Sequence, residues 1–103
     1  MITVYHNKNF LDIRYYSSEN PAELIDPTKL TRVATVATDD LEEAYGLTQN
    51  FTSSWINNKG VKSYGTGEKR STSVGDVLWH EGKAYLVAFV GFVKVDLQLQ
   101  TPF

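Results

Sequence analysis

Residues Arg70–Asp96 read RSTSVGDVLWHEGKAYLVAFVGFVKVD, and this stretch decides the fold class. Val77 to His80 and Lys83 to Val90 are runs of β-branched and aromatic residues on either side of Glu81-Gly82. An acidic residue followed by glycine between two such runs predicts a two-residue hairpin, with glycine supplying a positive φ. Ser73-Val74-Gly75-Asp76 reads as a tight turn that delivers the chain into the first of these strands. Gly91 interrupts the second strand and predicts a bulge or sharp bend. Beyond it Val93, Val95, Leu97 and Leu99 alternate with Lys94, Asp96, Gln98 and Gln100, the pattern of a half-buried strand.

Upstream lies a polar stretch, residues 57–72 (NNKGVKSYGTGEKRST), with three glycines and no strong periodicity. Sixteen residues is long for a connection in a small domain, and loops of that length are commonly functional or disordered. Lys59, Lys62, Lys69 and Arg70 face only Glu68 in charge across this region, and Tyr64 adds a stacking surface. These residues, with Trp55, are the candidates for contact with a partner protein or a nucleic-acid backbone. Within the same stretch GTGEKRST lacks the Gly-Lys-Ser/Thr of a phosphate loop and precedes a strand, so a phosphate cradle is not expected.

Further upstream, Asp39 with Glu42 three residues on has capping-box spacing. Leu41, Ala44, Tyr45, Thr48 and Phe51 then fall on one face of a helix expected over about residues 40–50. Trp55 follows as a final turn plugging the core edge. Thr31 to Thr38 (TRVATVAT) is nearly uncharged on both faces and predicts a central strand buried on both sides. Asn20-Pro21-Ala22-Glu23 is a helix start, and Asp26-Pro27 cuts it short. Ile2–His6 reads as a strand. Phe10–Tyr16, with Leu11, Ile13 and Tyr15 alternating, reads as its hairpin partner across an Asn7-Lys8-Asn9 turn.

Length and composition set the remaining bounds. One domain over residues 1–103 is expected. Charged residues are 21% of the chain and net charge is −2, so the whole molecule does not attract polyanions. The charge is uneven: residues 1–50 hold eight acids and four bases, residues 51–103 four acids and six bases. There is no cysteine, which removes disulfides, thiolate metal sites and a thiol nucleophile, and fits a cytoplasmic protein. No secretory signal or membrane span is expected. His6 and His80 are far apart in sequence, so no metal set assembles and no cofactor is expected. Ser71, Thr72 and Ser73 lack a nucleophile pattern, and Asp39, Asp40, Glu42 and Glu43 are explained by helix capping. No enzyme is expected.

Arg70-Ser71-Thr72-Ser73-Val74-Gly75-Asp76-Val77, with Gly82, Tyr85-Leu86-Val87 and Gly91-Phe92 at the spacing that follows, resembles the YodL-like domain of small phage, plasmid and bacterial proteins. Leu41-Glu42-Glu43-Ala44, Leu47-Thr48-Gln49-Asn50 and Ser54-Trp55 extend the likeness over about residues 31–96, although the family's usual Thr-Asn pair is Thr48-Gln49-Asn50 here. The resemblance implies a cytoplasmic accessory protein of a mobile element or its host, and carries no catalytic residue. In physical terms Gly75 supplies an unusual backbone angle, Asp76 or a neighbouring serine such as Ser73 bonds loop amides, and Arg70 anchors the loop.

The expected architecture is α+β: a mostly antiparallel, curved sheet of five to six strands on one main helix, with a partly closed barrel as the variant. The expected function is a non-enzymatic interaction protein that binds a host or self protein, including a second copy. The alternative is a nucleic-acid-binding module using residues 57–72.

Overall fold

The computed structural model describes residues 1–97; the expected strand positions Gln98, Leu99 and Gln100 lie outside the described residues. Among the described residues six strands form one antiparallel sheet: β1 Ile2–Asn7, β2 Leu30–Val36, β3 Val61–Ser63, β4 Val77–His80, β5 Lys83–Val87 and β6 Phe92–Val95. Their order is β3-β2-β1-β4-β5-β6, an open α+β sheet with β3 and β6 at its edges. Two α-helices, α1 Arg14–Ser17 and the longer α2 Leu41–Leu47, accompany it.

β1 is flanked by β2 and β4, and all six of its residues are buried. Alternate side chains point to opposite faces of a strand. Ile2 and Val4 therefore meet Ala34, Val36 and Leu78 under Ala44 and Trp55. Tyr5 meets Val77 and Leu86 on the other face, under Tyr15 and Ile25. The two-sided burial expected of Thr31–Thr38 is found in β2 only over Val33–Val36.

The expected N-terminal hairpin is not formed. β1 pairs with β2 and β4, and residues 10–17 fold as turns leading into α1. Local side-chain bonds close this segment on itself. The Asn7 carboxamide oxygen accepts from the Asn9 amide, and Asp12 accepts from the Arg14 amide and guanidinium. Of the presumed apolar face only Tyr15 is buried; Leu11 and Ile13 are 79% and 76% exposed.

Pro21 opens a 3-10 turn, Pro21–Leu24, and Asp26 caps a second, Pro27–Lys29, so the short helical connection is two separate turns. The cap of α2 is Asp40, one residue after the expected Asp39; its carboxylate accepts from the Glu42 and Glu43 amides. α2 also ends at Leu47, short of residue 50. The Thr48 hydroxyl turns back to the Ala44 and Tyr45 carbonyls, and Phe51, expected on the buried face, is exposed.

Residues 57–72 are not structureless, because β3 lies inside them and pairs with β2. The β4–β5 hairpin forms as its sequence predicts. Glu81 and Gly82 take φ of 51° and 80°, the two positive angles of the tight hairpin turn whose twist matches its strands. The strand expected over Lys83–Val90 stops at Val87. Gly91, with φ 71°, belongs to a second reversal, in which the Ala88 amide bonds the Gly91 carbonyl, and β6 returns alongside β5.

Candidate functional site

Asp76, at the mouth of β4, is fully buried and is the centre of a polar clamp. Its Oδ1 accepts from the Asn7 amide at 2.8 Å and its Oδ2 from the Ser73 amide at 2.7 Å. The Arg70 guanidinium grips both oxygens, each at 2.7 Å. Paired parallel bonds of this kind combine charge with fixed geometry. Arg70 is only 29% exposed. It also donates to the Ser71 and Asn7 carbonyls and lies 3.6 Å above the Phe10 ring.

Gly75 makes the clamp possible. Its φ is +96°, and a Cβ there would stand 3.2 Å from both the Phe10 Cα and Tyr15 Cδ2. A side chain at this position meets backbone as well as an unfavourable angle. The Asn7 carboxamide donates to the Gly75 carbonyl and to the Tyr15 hydroxyl, locking the turn to α1.

A second set of bonds ties the loop to the end of α2. Gln49 donates to the Thr72 carbonyl and Asn50 to the Lys69 carbonyl, while the Asn50 amide donates to the Ser71 hydroxyl. Asn50 also accepts from the Trp55 amide, and the Trp55 indole donates to the Arg70 carbonyl at 2.8 Å. The residues that carry the sequence resemblance, Thr48-Gln49-Asn50, Trp55 and Arg70–Asp76, thus converge on one another. Trp55 is fully buried, so no partner reaches it in this fold, and Arg70 spends its donors inward.

His6, Asn7, Phe10, Tyr15, Gln49 and Asn50 complete the clamp and were not among the sequence candidates. Thr48-Gln49-Asn50 carries a local signal through its spacing to Trp55. His6 and Asn7 carry none, because their partners Thr72 and Asp76 lie 66 and 69 residues away.

His6 Nε2 is 3.0 Å from the Thr72 hydroxyl and 3.9 Å from Asp76 Oδ2. Burial pushes its pKa down to about 4; the Asp76 carboxylate opposes this, and the Arg70 and Lys69 charges reinforce it. The native state therefore holds His6 neutral. The unfolded chain protonates first as pH falls, so stability is full above about pH 6.5 and is lost between there and about pH 4. Urea denaturation of wild type and His6→Gln at pH 7 and pH 4.5 checks this. Wild type is expected to lose about 2–3 kcal/mol more than the variant over that interval.

Two further surfaces are open to solvent. On the β3 side the Arg32 guanidinium stacks 4.1 Å over the Tyr64 ring, with the Lys62 ammonium 5.8 Å from the same ring. Lys59 is exposed on the turn before β3, and the Lys69 ammonium lies beside Gly65. Arg32 reaches this cluster from β2, outside the 57–72 stretch.

On the opposite flank is an open cleft of about 350 Å³ between α2 and the β5–β6 turn, walled by Glu42, Tyr45, Val74, Val87, Phe92 and Phe89. Phe89 stands at its rim, 70% exposed, with Val90 next to it in the turn, 84% exposed, and Phe89 meets Tyr16 edge-on at 5.7 Å. Val74, Val87, Gly91 and Phe92, all within the resemblance, line this cleft.

Comparison with protein-family models, with curated proteins and with solved structures found no match. Among the described residues no helix is long and apolar enough to cross a membrane.

Proposed function

We propose that this chain is a non-enzymatic accessory protein that binds a host or self protein through the aromatic cleft beside the β5–β6 turn. The observation that carries this reading is the exposed Phe89 at the rim of a cleft lined by Tyr45, Val74, Val87 and Phe92, with the exposed Val90 next to it in the β5–β6 turn. Aromatic side chains are enriched among the few residues that supply most of the binding energy in protein interfaces. The contrast with the clamp supports it. His6, Asp76 and Arg70, the groups best suited to acid–base or charge chemistry, are turned inward and engaged in holding loops. The likeness to YodL-like domains extends the proposal to a cytoplasmic protein of a phage, plasmid or their host.

Phe89 and Val90 are exposed, so Phe89→Ser/Val90→Ser leaves the core intact. Affinity capture from the natural host, with light scattering for self-association, is expected to show a complex for wild type. The double variant retains at least about tenfold less of it, the loss of one interface anchor. Equal recovery by both proteins contradicts the cleft as the binding surface.

A second reading rests on the Arg32–Tyr64–Lys62 stack, which suits an unpaired base beside its phosphate. Binding of a single-stranded oligonucleotide that weakens with salt and with neutralisation of Arg32, Lys59, Lys62 and Lys69 would favour it over the cleft.

A further inference from the structure

Asp39, His80 and Glu81 meet at one end of the sheet, away from the clamp. β1 pairs Ile2 with Val36 and Thr3 with Trp79, so the end of β2 and the end of β4 emerge at the same end of the sheet, one on each side of β1. Asp39 follows β2 in the connection to α2, while His80 and Glu81 form the tip of the β4–β5 hairpin. His80 Nε2 stands 3.2 Å from Asp39 Oδ1 and 3.8 Å from Glu81 Oε1, and one donor atom from each of the three lies within 4.8 Å of the others.

The imidazole has one nitrogen directed at two carboxylates. A single N–H satisfies Asp39 by a hydrogen bond; it leaves Glu81, beyond hydrogen-bond distance, converging on the same point. A cation between the three donors satisfies all of them. Donors around a tetrahedral ion with bonds near 2.0–2.1 Å are spaced by about 3.3 Å, so inward movements of a few tenths of an ångström to about 1.5 Å in exposed carboxylates bring this set to ligating distance. The His80 side chain is only 17% exposed and holds its position, while both carboxylates reach into solvent. The corner already draws positive charge: the Met1 ammonium lies 2.8 Å from Asp39 Oδ1, and a bound ion takes over that oxygen from it.

We propose that Asp39, His80 and Glu81 bind a divalent cation of the zinc type, with the remaining coordination positions open. The imidazole selects late first-row metals over magnesium and calcium, which take oxygen ligands. Three protein donors correspond to an open site rather than a closed structural one. The site is independent of the partner surface at Phe89.

Titration of the tag-free full chain with zinc chloride by isothermal calorimetry at pH 7.5 tests it, with His80→Gln and Glu81→Gln alongside and circular dichroism confirming their fold. Wild type is expected to bind one ion per chain, and each substitution to weaken that binding at least about tenfold. Absence of one-to-one binding by wild type overturns the proposal. So does unchanged affinity in either variant, because the site as drawn needs both donors.

Discussion

Asp76→Ala is expected to lower stability by about 4 kcal/mol, one of the two largest effects among the substitutions discussed. Removing one partner of a buried ion pair costs about 3–5 kcal/mol, because the other charge is left without compensation. Arg70 is partly exposed and recovers some hydration, which draws the value away from the top of that range. The amides of Asn7 and Ser73 lose their acceptor at the same time, and an orphaned buried donor costs about 1–3 kcal/mol. For a domain of this size 1 kcal/mol corresponds to about 4–8 °C, so scanning calorimetry should show Tm falling by roughly 20 °C. Asp76→Asn keeps the shape and some acceptor capacity and should fall between the two. A shift of only a few degrees in the alanine variant would mean that the clamp does not hold the loop.

Trp55→Ala follows at about 3–5 kcal/mol, the range for deleting a large buried aromatic. The indole is fully buried in the core cluster with Val4, Ala34 and Leu78, and it meets the His6 ring edge-on at 6.2 Å. Its N–H also satisfies the Arg70 carbonyl. Trp55→Phe separates the two roles: it preserves most of the burial, removes the donor, and should cost about 1–2 kcal/mol. Urea midpoints of the two variants measure the difference. If both lie within a few tenths of a kcal/mol of wild type, the loop from Lys69 to Thr72 does not depend on Trp55.

What could be read in the chain followed how local the interactions are. The β4–β5 hairpin is encoded within Glu81-Gly82 and its flanking strands, so sequence alone places it. α2 is encoded by its acidic first turn, but Asp39 and Asp40 offer adjacent caps, and only the folded connection shows that Asp40 takes the role. Its early end at Leu47 was hidden, because Thr48, Gln49 and Asn50 leave the helix to bond a loop about twenty residues further on. Residues 10–17 carry a strand pattern, because Leu11, Ile13 and Tyr15 alternate as a strand does. The Asp12–Arg14 bonds and the capture of Tyr15 by Asn7 make a turn and short helix instead.

The site divides in the same way. Arg70, Ser73, Gly75 and Asp76 stand within seven residues, and turn chemistry makes them conspicuous. Nothing near His6 or Asn7 in sequence announces Asp76 or Thr72 as neighbours, since long-range strand pairing brings β1 to β4. The pairing of β1 with both β2 and β4 brings Asp39 to His80, two residues that look unrelated in the chain. The cleft was equally illegible, because Gly91 reads as a bend within one strand and not as the turn that raises Phe89 and Val90 out of the sheet.

The Arg70–Asp76 pair is the clamp that joins β1, the loop and β4. A double-mutant cycle of Arg70→Ala, Asp76→Ala and the double variant, measured by urea denaturation, tests it most directly. The clamp predicts a coupling of about 2–3 kcal/mol, with the double variant no less stable than Asp76→Ala alone. Additive losses, with coupling below about 0.5 kcal/mol, would contradict it.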